Sequence, residues 1–273
     1  MRILFIGDIV GRPGRSTITR KLPEIREELN VDLVIANGEN ASGGVGLVVH
    51  NAQALFESGI DVITSGNHIF QHKGYEELFS TYEAIIRPAN YPPDVPGKGA
   101  FIRRMSNYPP VAVMNLLGRT FMEAVDCPFQ IAEKVLSEIP PKVKIIIVDI
   151  HAEATSEKSA MGWFLDGRVS AVVGTHTHVQ TADERILPGG TAYITDVGMA
   201  GPINSVIGMD RKAILKKYIS RLPVSFNVAK GPVRVDAVLI DVEDDTGRST
   251  RIERLGISCE SSMEDLKEDG NIQ

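Results

Sequence analysis

Residues with metal-binding side chains follow several short apolar runs of the sequence. In chain order they are Asp8 after ILFIG, Glu39 and Asn40 after LVIANG, Asn67 and His68 after VITSG, His151 after KIIIVDI, and His176 and His178 in GTHTH. Imidazole nitrogens with carboxylate and amide oxygens, without a thiolate, favour Mn, Fe, Zn or Ni over a structural thiolate zinc site. The set is large enough for two adjacent divalent ions, because one carboxylate can contact both ions with its two oxygens. Glu39 is the predicted bridge.

The apolar runs that precede these residues have the pattern of β-strands covered on both faces. They are continuous rather than alternating, which is typical of parallel strands in an α/β core. The predicted strands are Arg2–Gly7, Asp32–Ala36, Asp61–Thr64, Val111–Asn115, Val143–Ile150, Ser170–Gly174 and Ala192–Thr195. The predicted helices are Ser16–Leu29 with a break at Pro23, Leu47–Ser58, Tyr75–Thr81, Asp126–Glu138 and Asp210–Ile219. Because the carboxyl ends of parallel strands open on one edge of a sheet, we expect the metal-binding residues to meet there.

The second half of the chain has a different pattern. Pro232–Glu243 alternates polar and apolar residues, which is typical of an antiparallel strand with one solvated face. Asp244–Gly247 predicts a hairpin turn that leads into a further strand, Thr250–Ile257. The Pro-rich stretch Arg87–Lys98 predicts an irregular loop. The sequence therefore predicts mixed sheets rather than a purely parallel one.

Composition and charge exclude several classes of protein. The chain has 273 residues, of which 43% are hydrophobic, enough for a substantial core. The net charge is −6 at pH 7, and most of this excess lies in 260–273, which we predict to be an acidic, disordered tail. The preceding 1–259, predicted to form a single domain, is nearly balanced in charge. This balance argues against a protein that grips extended nucleic acid.

Cysteine usage and hydropathy indicate the compartment. Cys127 and Cys259 lie far apart and give no disulfide framework, so the sequence favours a reducing, cytoplasmic setting. The N-terminal apolar run is too short for a signal peptide, and no apolar run approaches the roughly 18 residues that a membrane span needs. We therefore expect no membrane partner.

The ordered set of motifs carries a resemblance to a known family. Asp8, GEN at 38–40, GNH at 66–68, His151 and GTHTH at 174–178 resemble the motifs of the calcineurin-like metallophosphoesterases. Within these, the chain is most similar to the YmdB-like branch of bacterial cyclic-nucleotide phosphodiesterases, from residue 1 to about 257. The resemblance implies a β-sandwich of mixed sheets flanked by helices, with four layers in the order α/β/β/α and a dinuclear site at one end.

The resemblance also implies a role for each site residue. The first metal would be held by Asp8, Glu39, Asn40 and His178. The second metal would be held by Glu39 as the bridge, Asn67, His151 and His176. His68, which lies next to a ligand, resembles the general acid of the family.

Three positions depart from the pattern of the broad superfamily. Val10 occupies the place of the histidine in Asp-x-His, so Asn40 must supply the missing ligand, and the bridging residue is Glu39 where Asp is usual. Both departures resemble the YmdB-like branch. The third is Ile69, which follows His68 where a carboxylate that orients the histidine is often found. The sequence therefore names no partner for His68.

The activity implied by the resemblance is metal-dependent hydrolysis of small phosphodiesters. The expected substrates are 2′,3′- or 3′,5′-cyclic nucleotides, attacked by a hydroxide shared by the two metals while His68 protonates the leaving oxygen. The expected ions are iron or manganese, with zinc as an alternative. Two other functions stay open: a phosphomonoesterase or nuclease on the same metal site, and a nucleotide-binding regulator with little catalysis. The sequence also leaves a homo-oligomer open.

Some of these residues have simpler interpretations. His151 could be a core histidine with satisfied hydrogen bonds, and Asn40 could cap a turn rather than bind a metal. The glycine-rich stretch 42–46 is equally suited to cradling a phosphate and to linking two elements. His50 and His72 belong to no motif, and we expect both of them at the solvated surface.

Overall fold

The computed structural model describes residues 1–260. The predicted acidic tail therefore lies almost entirely outside the described residues. The strands are β1 (Arg2–Ile6), β2 (Asp8–Ile9), β3 (Leu33–Asn37), β4 (Val62–Thr64), β5 (Ala100–Met105), β6 (Tyr108–Leu117), β7 (Ile145–His151), β8 (Ala171–Thr175), β9 (Arg185–Ile186), β10 (Ala192–Ile194), β11 (Met199–Pro202), β12 (Val233–Val242) and β13 (Ser249–Cys259). The helices are α1 (Gly11–Glu28), α2 (Val49–Glu57), α3 (Tyr75–Thr81), α4 (Pro128–Glu138), α5 (Thr155–Leu165) and α6 (Arg211–Ser220).

The strands form two mixed sheets. The first sheet has the order β2-β11-β12-β1-β3-β4, with β13 also paired to β12. Strands β1, β3 and β4 are parallel, whereas β12 runs antiparallel to β1, β11 and β13. The second sheet has the order β5-β6-β7-β8-β10-β9. Its four central strands are parallel, and its two edge strands are antiparallel to their neighbours. The prediction of mixed sheets is confirmed.

The two sheets pack face to face between layers of helices. Ile3, Phe5 and Leu33 of the first sheet share a buried cluster with Val113 and Ile147 of the second. The outer face of the first sheet packs against α1, α2 and α3, and that of the second sheet packs against α4 and α5. The chain therefore has the four-layer α/β/β/α sandwich that the resemblance implies. None of the helices within residues 1–260 is long and apolar enough to cross a membrane.

Polar residues replace apolar ones where the parallel strands end. On β3, Leu33 and Ile35 face the space between the sheets, and Asn37, two residues further on, is also buried. The same order occurs on β7, where Ile145 and Ile147 are followed by Asp149 and His151. The Asn37 amide of β3 donates to Asp149 Oδ2 of β7 at 3.2 Å, so the carboxyl ends of these strands lie at the same end of the sandwich. The apolar core therefore gives way to a buried polar cluster at this end.

Two helices differ from the prediction. Helix α1 begins at Gly11 rather than near residue 16, and it continues through Pro23 without a break. A proline in a helix interior costs about 3 kcal/mol, but Ile18, Leu22 and Ile25 form one buried face across it, and their packing outweighs this cost. Pro13 lies in the first turn, where a missing N–H is tolerated. The predicted helix began only at Ser16, after this turn.

Helix α5 was missed entirely. Its buried face consists of Lys158, Met161, Gly162 and Leu165, at helical spacing. A lysine and a glycine on this face weaken the apolar periodicity on which the prediction depended. The loop predicted at Arg87–Lys98 is confirmed, since these residues contain no helix or strand and form only an isolated bridge, between Ile86 and Lys98.

Candidate metal centre

Glu39, His151 and His176 form the centre of the cluster. One ligand atom from each lies within 4.8 Å of the other two. His151 Nε2 is 3.1 Å from Glu39 Oε1 and 3.1 Å from His176 Nδ1. The Oδ1 atom of Asn67 lies 3.2 Å from the same imidazole nitrogen. Four side chains from separate segments therefore converge on one point.

A second group lies around Asp8, next to the first. Asp8 Oδ1 is 3.6 Å from His178 Nε2 and 3.9 Å from His151 Nδ1. This oxygen is buried and accepts no hydrogen bond, which is costly for a carboxylate unless a cation contacts it. Asn40 Nδ2 lies 3.3 Å from His178 Nε2 and donates to Glu39 Oε1. Asp8, Asn40 and His178 therefore lie directly beside the first group, and Glu39 contacts residues of both groups.

Hydrogen bonds fix which nitrogen of two histidines faces the cluster. The His178 Nδ1–H donates to the backbone oxygen of Ile207, 2.9 Å away, because a carbonyl can only accept. His151 Nδ1 lies 2.9 Å from Thr175 Oγ1, and that hydroxyl donates to Asp149 Oδ1. Nδ1 is therefore the donor on both rings, and Nε2 is left for a ligand.

The loop that carries His176 and His178 is held by a buried ion pair. Thr177, between the two histidines, donates from both its backbone N–H and its hydroxyl to Asp196 Oδ2, at 3.1 and 2.7 Å. The same oxygen accepts from Lys158 Nζ at 2.7 Å, and neither charged side chain is exposed. Both histidines have positive φ angles, 97° and 62°. These contacts therefore hold the loop in a conformation that is costly for residues with a Cβ atom.

The charges of the cluster shift the pKa values of its members. Burial raises the pKa of Asp8, but the imidazoles of His178 and His151 outweigh burial, and the pKa falls well below its usual range. Burial lowers the pKa of His151, yet the Glu39 and Asp8 carboxylates raise it to about 9. The pKa of His178 is also raised, because Asp8 outweighs burial. Burial and the positive charge of His151 lower the pKa of His176 to about 3.

These residues fit bound metal ions. The cluster contains two buried carboxylates, Asp8 and Glu39, and in the polypeptide alone the neighbouring imidazoles offset their charge. A divalent ion would take over this role and contact the free Oδ1 of Asp8. Imidazole, carboxylate and amide donors suit first-row transition metals, as expected from the sequence.

His68 lies at the edge of the cluster. Its Nδ1 is 2.7 Å from Asn40 Oδ1 and 3.4 Å from Glu39 Oε1, and its side chain is 29% exposed. Its backbone N–H donates to Glu39 Oε2. The partner that the sequence did not name is therefore Asn40, supported by Glu39. Asn40 presents its oxygen to His68 and its nitrogen to His178, so its role as a metal ligand stays a prediction.

Comparison with known proteins identifies the family. A sequence model described as YmdB-like protein matches residues 4–255. The chain belongs to the YmdB-like family. Over 258 residues it is 48% identical to the 2′,3′-cyclic-nucleotide 2′-phosphodiesterase of Bacillus subtilis (strain 168), with 94% of this chain and 97% of that protein covered.

Two solved structures resemble this YmdB-like chain closely. A protein of Thermus thermophilus, described as hypothetical, is 41% identical with a TM-score of 0.89, covering 96% of this chain and all of that one. A phosphatase of Mycoplasma pneumoniae is 33% identical with a TM-score of 0.89, covering 98% of this chain and 97% of that one. Both likenesses agree with the fold and with the family assignment.

One glycine of the YmdB-like motif GNH is required by the cluster. A Cβ atom on Gly66 would lie 2.3 Å from the ring of His151 and 2.5 Å from Glu39 Oε2. Both distances are shorter than any van der Waals contact. Gly66 therefore allows the turn before Asn67 to pass directly over two predicted ligands.

The sequence analysis missed the residues that support the cluster. Asp149 accepts hydrogen bonds from Thr64, Thr175 and Asn37, and its burial raises its pKa to about 7. Its position two residues before His151, on the same face of β7, is a signal that could have identified it. Lys158 and Asp196 gave no such signal, because their pairing depends on how α5 packs.

The remaining histidines have different surroundings. His50 is exposed on α2, as expected. The expectation for His72 was wrong, because its ring is half-buried against Gly46 and its Nε2 lies 3.1 Å from the Ser42 backbone oxygen. Positive φ angles at glycines 43, 44 and 46 allow the tight turn over which this ring packs.

Proposed function

We propose that the chain is a metal-dependent phosphodiesterase that hydrolyses 2′,3′-cyclic nucleotides. The observation that carries this proposal is the convergence of Glu39, His151 and His176 with Asp8 and His178 at one end of the sandwich. The similarity to the Bacillus subtilis 2′,3′-cyclic-nucleotide 2′-phosphodiesterase supports the choice of substrate. The proposal includes 3′,5′-cyclic nucleotides as a second class of substrate. Free Cys127 and Cys259 agree with the proposed cytoplasmic location.

Two ions, iron or manganese, are part of the proposal. The first ion would be held by Asp8, Glu39, Asn40 and His178. The second ion would be held by Glu39, Asn67, His151 and His176. When bound, two such ions lower the pKa of water to supply a nucleophile and neutralise the charge that develops on phosphorus oxygens. Thr175 and Ile207 would keep His151 and His178 in the tautomer that binds a metal.

His68 is the proposed general acid. The Asn40 oxygen fixes the Nδ1 side of the ring, so Nε2 is the nitrogen that would protonate the leaving ribose oxygen. Because the Nδ1–H donates to Asn40, Nε2 is left free to carry the proton that an acid transfers. Proton transfer from a positioned side chain typically contributes about 10²–10⁴-fold to the rate.

A phosphomonoesterase is the second candidate function. The Mycoplasma pneumoniae relative, 33% identical, is described as a phosphatase. The same cluster could hold a phosphate monoester, since both substrates present phosphorus oxygens to cations. The substrate therefore has to be decided by direct comparison.

The test is hydrolysis by the protein loaded with Mn²⁺ or Fe²⁺. The account predicts turnover of 2′,3′-cyclic AMP well above that of p-nitrophenyl phosphate, and a loss of about 10²–10⁴-fold in His68→Ala with the metal content unchanged. His50→Ala, an exposed histidine on α2, is the matched control and should keep full activity. Preferred turnover of the monoester would favour the second candidate. A fully active His68→Ala protein would remove the acid assignment.

A further inference from the structure

Two loops meet beside the candidate metal centre. The first is 87–98, and the second is 118–127, which connects β6 to α4. The Tyr91 hydroxyl donates to Glu123 Oε2 at 3.2 Å. The Asn90 side chain donates to the backbone oxygen of Asp126, and the Asp126 N–H donates back to the Asn90 backbone oxygen. Hydrogen bonds of Asn90 and Tyr91 therefore join the two loops.

The joined loops reach two sides of the metal cluster. On one side, Tyr91 packs edge-on against Phe70, with ring centres 5.4 Å apart, and Phe70 follows His68 by two residues. The Tyr91 ring therefore packs against the segment that carries the predicted general acid.

The second loop approaches the cluster from the side of His176. The Glu153 N–H donates to the sulfur of Met122 at 3.3 Å, and Glu153 Oε2 lies 3.2 Å from His176 Nε2. Only one residue therefore separates Met122 from direct contact with a predicted ligand. Phe121 precedes Met122 in this loop.

Phe121 has no role in the packing of the fold. Its side chain is 90% exposed, the largest value among the big apolar residues that the structure describes. Its φ angle is +63°, in the left-handed region that a residue with a Cβ rarely adopts. Hydrogen bonds to helix α5 stabilise this conformation, because the N–H groups of Arg119 and Thr120 both donate to the Glu157 carboxylate. The loop thus keeps an aromatic ring in solvent under backbone strain.

We propose that Phe121, Tyr91 and Glu123 form a subsite for the nucleoside part of the substrate, with the base stacked on Phe121. The inference rests on the proposed phosphodiesterase function and extends it from the phosphate to the base. An exposed aromatic face stacks on any base, so the ring supplies affinity rather than a preference for one base. The Glu123 carboxylate, fixed by Tyr91, accepts a hydrogen bond from a nucleoside N–H or O–H group.

The experiment compares a cyclic phosphate with a base and one without. Phe121→Ala should raise the KM for 2′,3′-cyclic AMP about tenfold, because one stacking interaction is lost, while kcat stays within about twofold. Its KM for glycerol 1,2-cyclic phosphate should not change. Tyr91→Phe, which keeps the ring and loses the hydroxyl, should raise the KM for 2′,3′-cyclic AMP by a smaller factor. Tyr108→Ala, an exposed aromatic at the amino end of β6, is the matched control.

A binding measurement separates this inference from the proposed function. Calorimetry with 2′,3′-cyclic AMP in the His68→Ala background requires no turnover, and adding Phe121→Ala should weaken the Kd about tenfold. If the wild-type protein hydrolyses no phosphodiester but this difference in Kd is observed, the proposed phosphodiesterase activity is wrong and the nucleoside subsite is supported. An unchanged KM and Kd in Phe121→Ala, or an equal rise in KM for both substrates, would overturn the subsite.

Discussion

The ammonium group of Lys158 lies 2.7 Å from the carboxylate of Asp196, with both side chains fully buried. The lysine comes from α5, and the aspartate accepts both donors of Thr177 between the two histidines of the GTHTH loop. A buried charge pair is costly to form, but the removal of one partner is more costly still. The pair therefore links the outer helical layer to two predicted metal ligands.

Thr177→Val tests this link without unpairing the buried charges. The variant loses the hydroxyl hydrogen bond to Asp196 and keeps the backbone one, so the loop should hold His176 and His178 less firmly. We expect metal affinity to fall by about 10–100-fold, as is typical when a group that supports the ligands is removed. Metal titration by calorimetry is the measurement. Thr19→Val, which removes a hydroxyl on α1, is the control and should bind metal normally.

Metal uptake should release protons and strengthen as the pH rises. At pH 7, His151, with its pKa near 9, is protonated in the polypeptide alone, and the pKa of His178 is also raised, because Asp8 outweighs burial. His151 must lose its proton to bind an ion, whereas His176, with a pKa near 3, is already neutral. Calorimetry in buffers of different ionisation enthalpy should show release of at least one proton. No release at pH 7 would contradict the assignment of His151 as a ligand.

The stability of the metal-free protein should fall as the pH rises, whereas metal binding should strengthen. The pKa of His151 is raised above the unfolded value of about 6.5, so its contribution to stability is complete below that pH and is lost as the pH rises through about 9. Asp149, raised to about 7, also stabilises less as the pH rises from about 4 to 7, because the unfolded chain ionises first. Thermal unfolding after chelation should therefore show falling stability from pH 6 to 9. Rising stability over this range would contradict the charge balance described for the cluster.

Gly66→Ala should displace ligands without unfolding the chain. The added Cβ would overlap the His151 ring and the Glu39 carboxylate, so the turn has to move away from the cluster. We expect metal binding to be lost while the circular dichroism spectrum stays that of the wild type. Gly74→Ala is the control for backbone strain, because its Cβ meets no atom within 4 Å although its φ is +92°. Equal metal content in both variants would show that Gly66 has no special role.

The sequence predicted the centre of the site better than its surroundings. Asp8, Glu39 and His151 each follow an apolar strand, so the geometry of parallel strands was enough to bring them together. Lys158 and Asp196 are 38 positions apart and meet only because α5 packs with its lysine inward. Side-chain pairs of this kind depend on tertiary packing, which a local pattern does not report.

Helix boundaries also depended on tertiary packing. Pro23 predicts a break when the backbone is considered alone, but the buried face of Ile18, Leu22 and Ile25 keeps α1 continuous. The assignments of Asn40 and His68 depended on the family resemblance, and the contact between their side chains is a feature of the structure alone. The single domain over 1–259 stays a prediction.

Metal content per chain tests the central claim most directly. The protein should be stripped with chelator, refilled with Mn²⁺ or Fe²⁺ under anaerobic conditions, desalted and measured by elemental analysis. We expect about two ions per chain in the wild type, and a clear loss in a variant with Glu39→Gln, since this residue contacts both halves of the cluster. A wild-type protein that retains no ion after careful refilling would contradict the account.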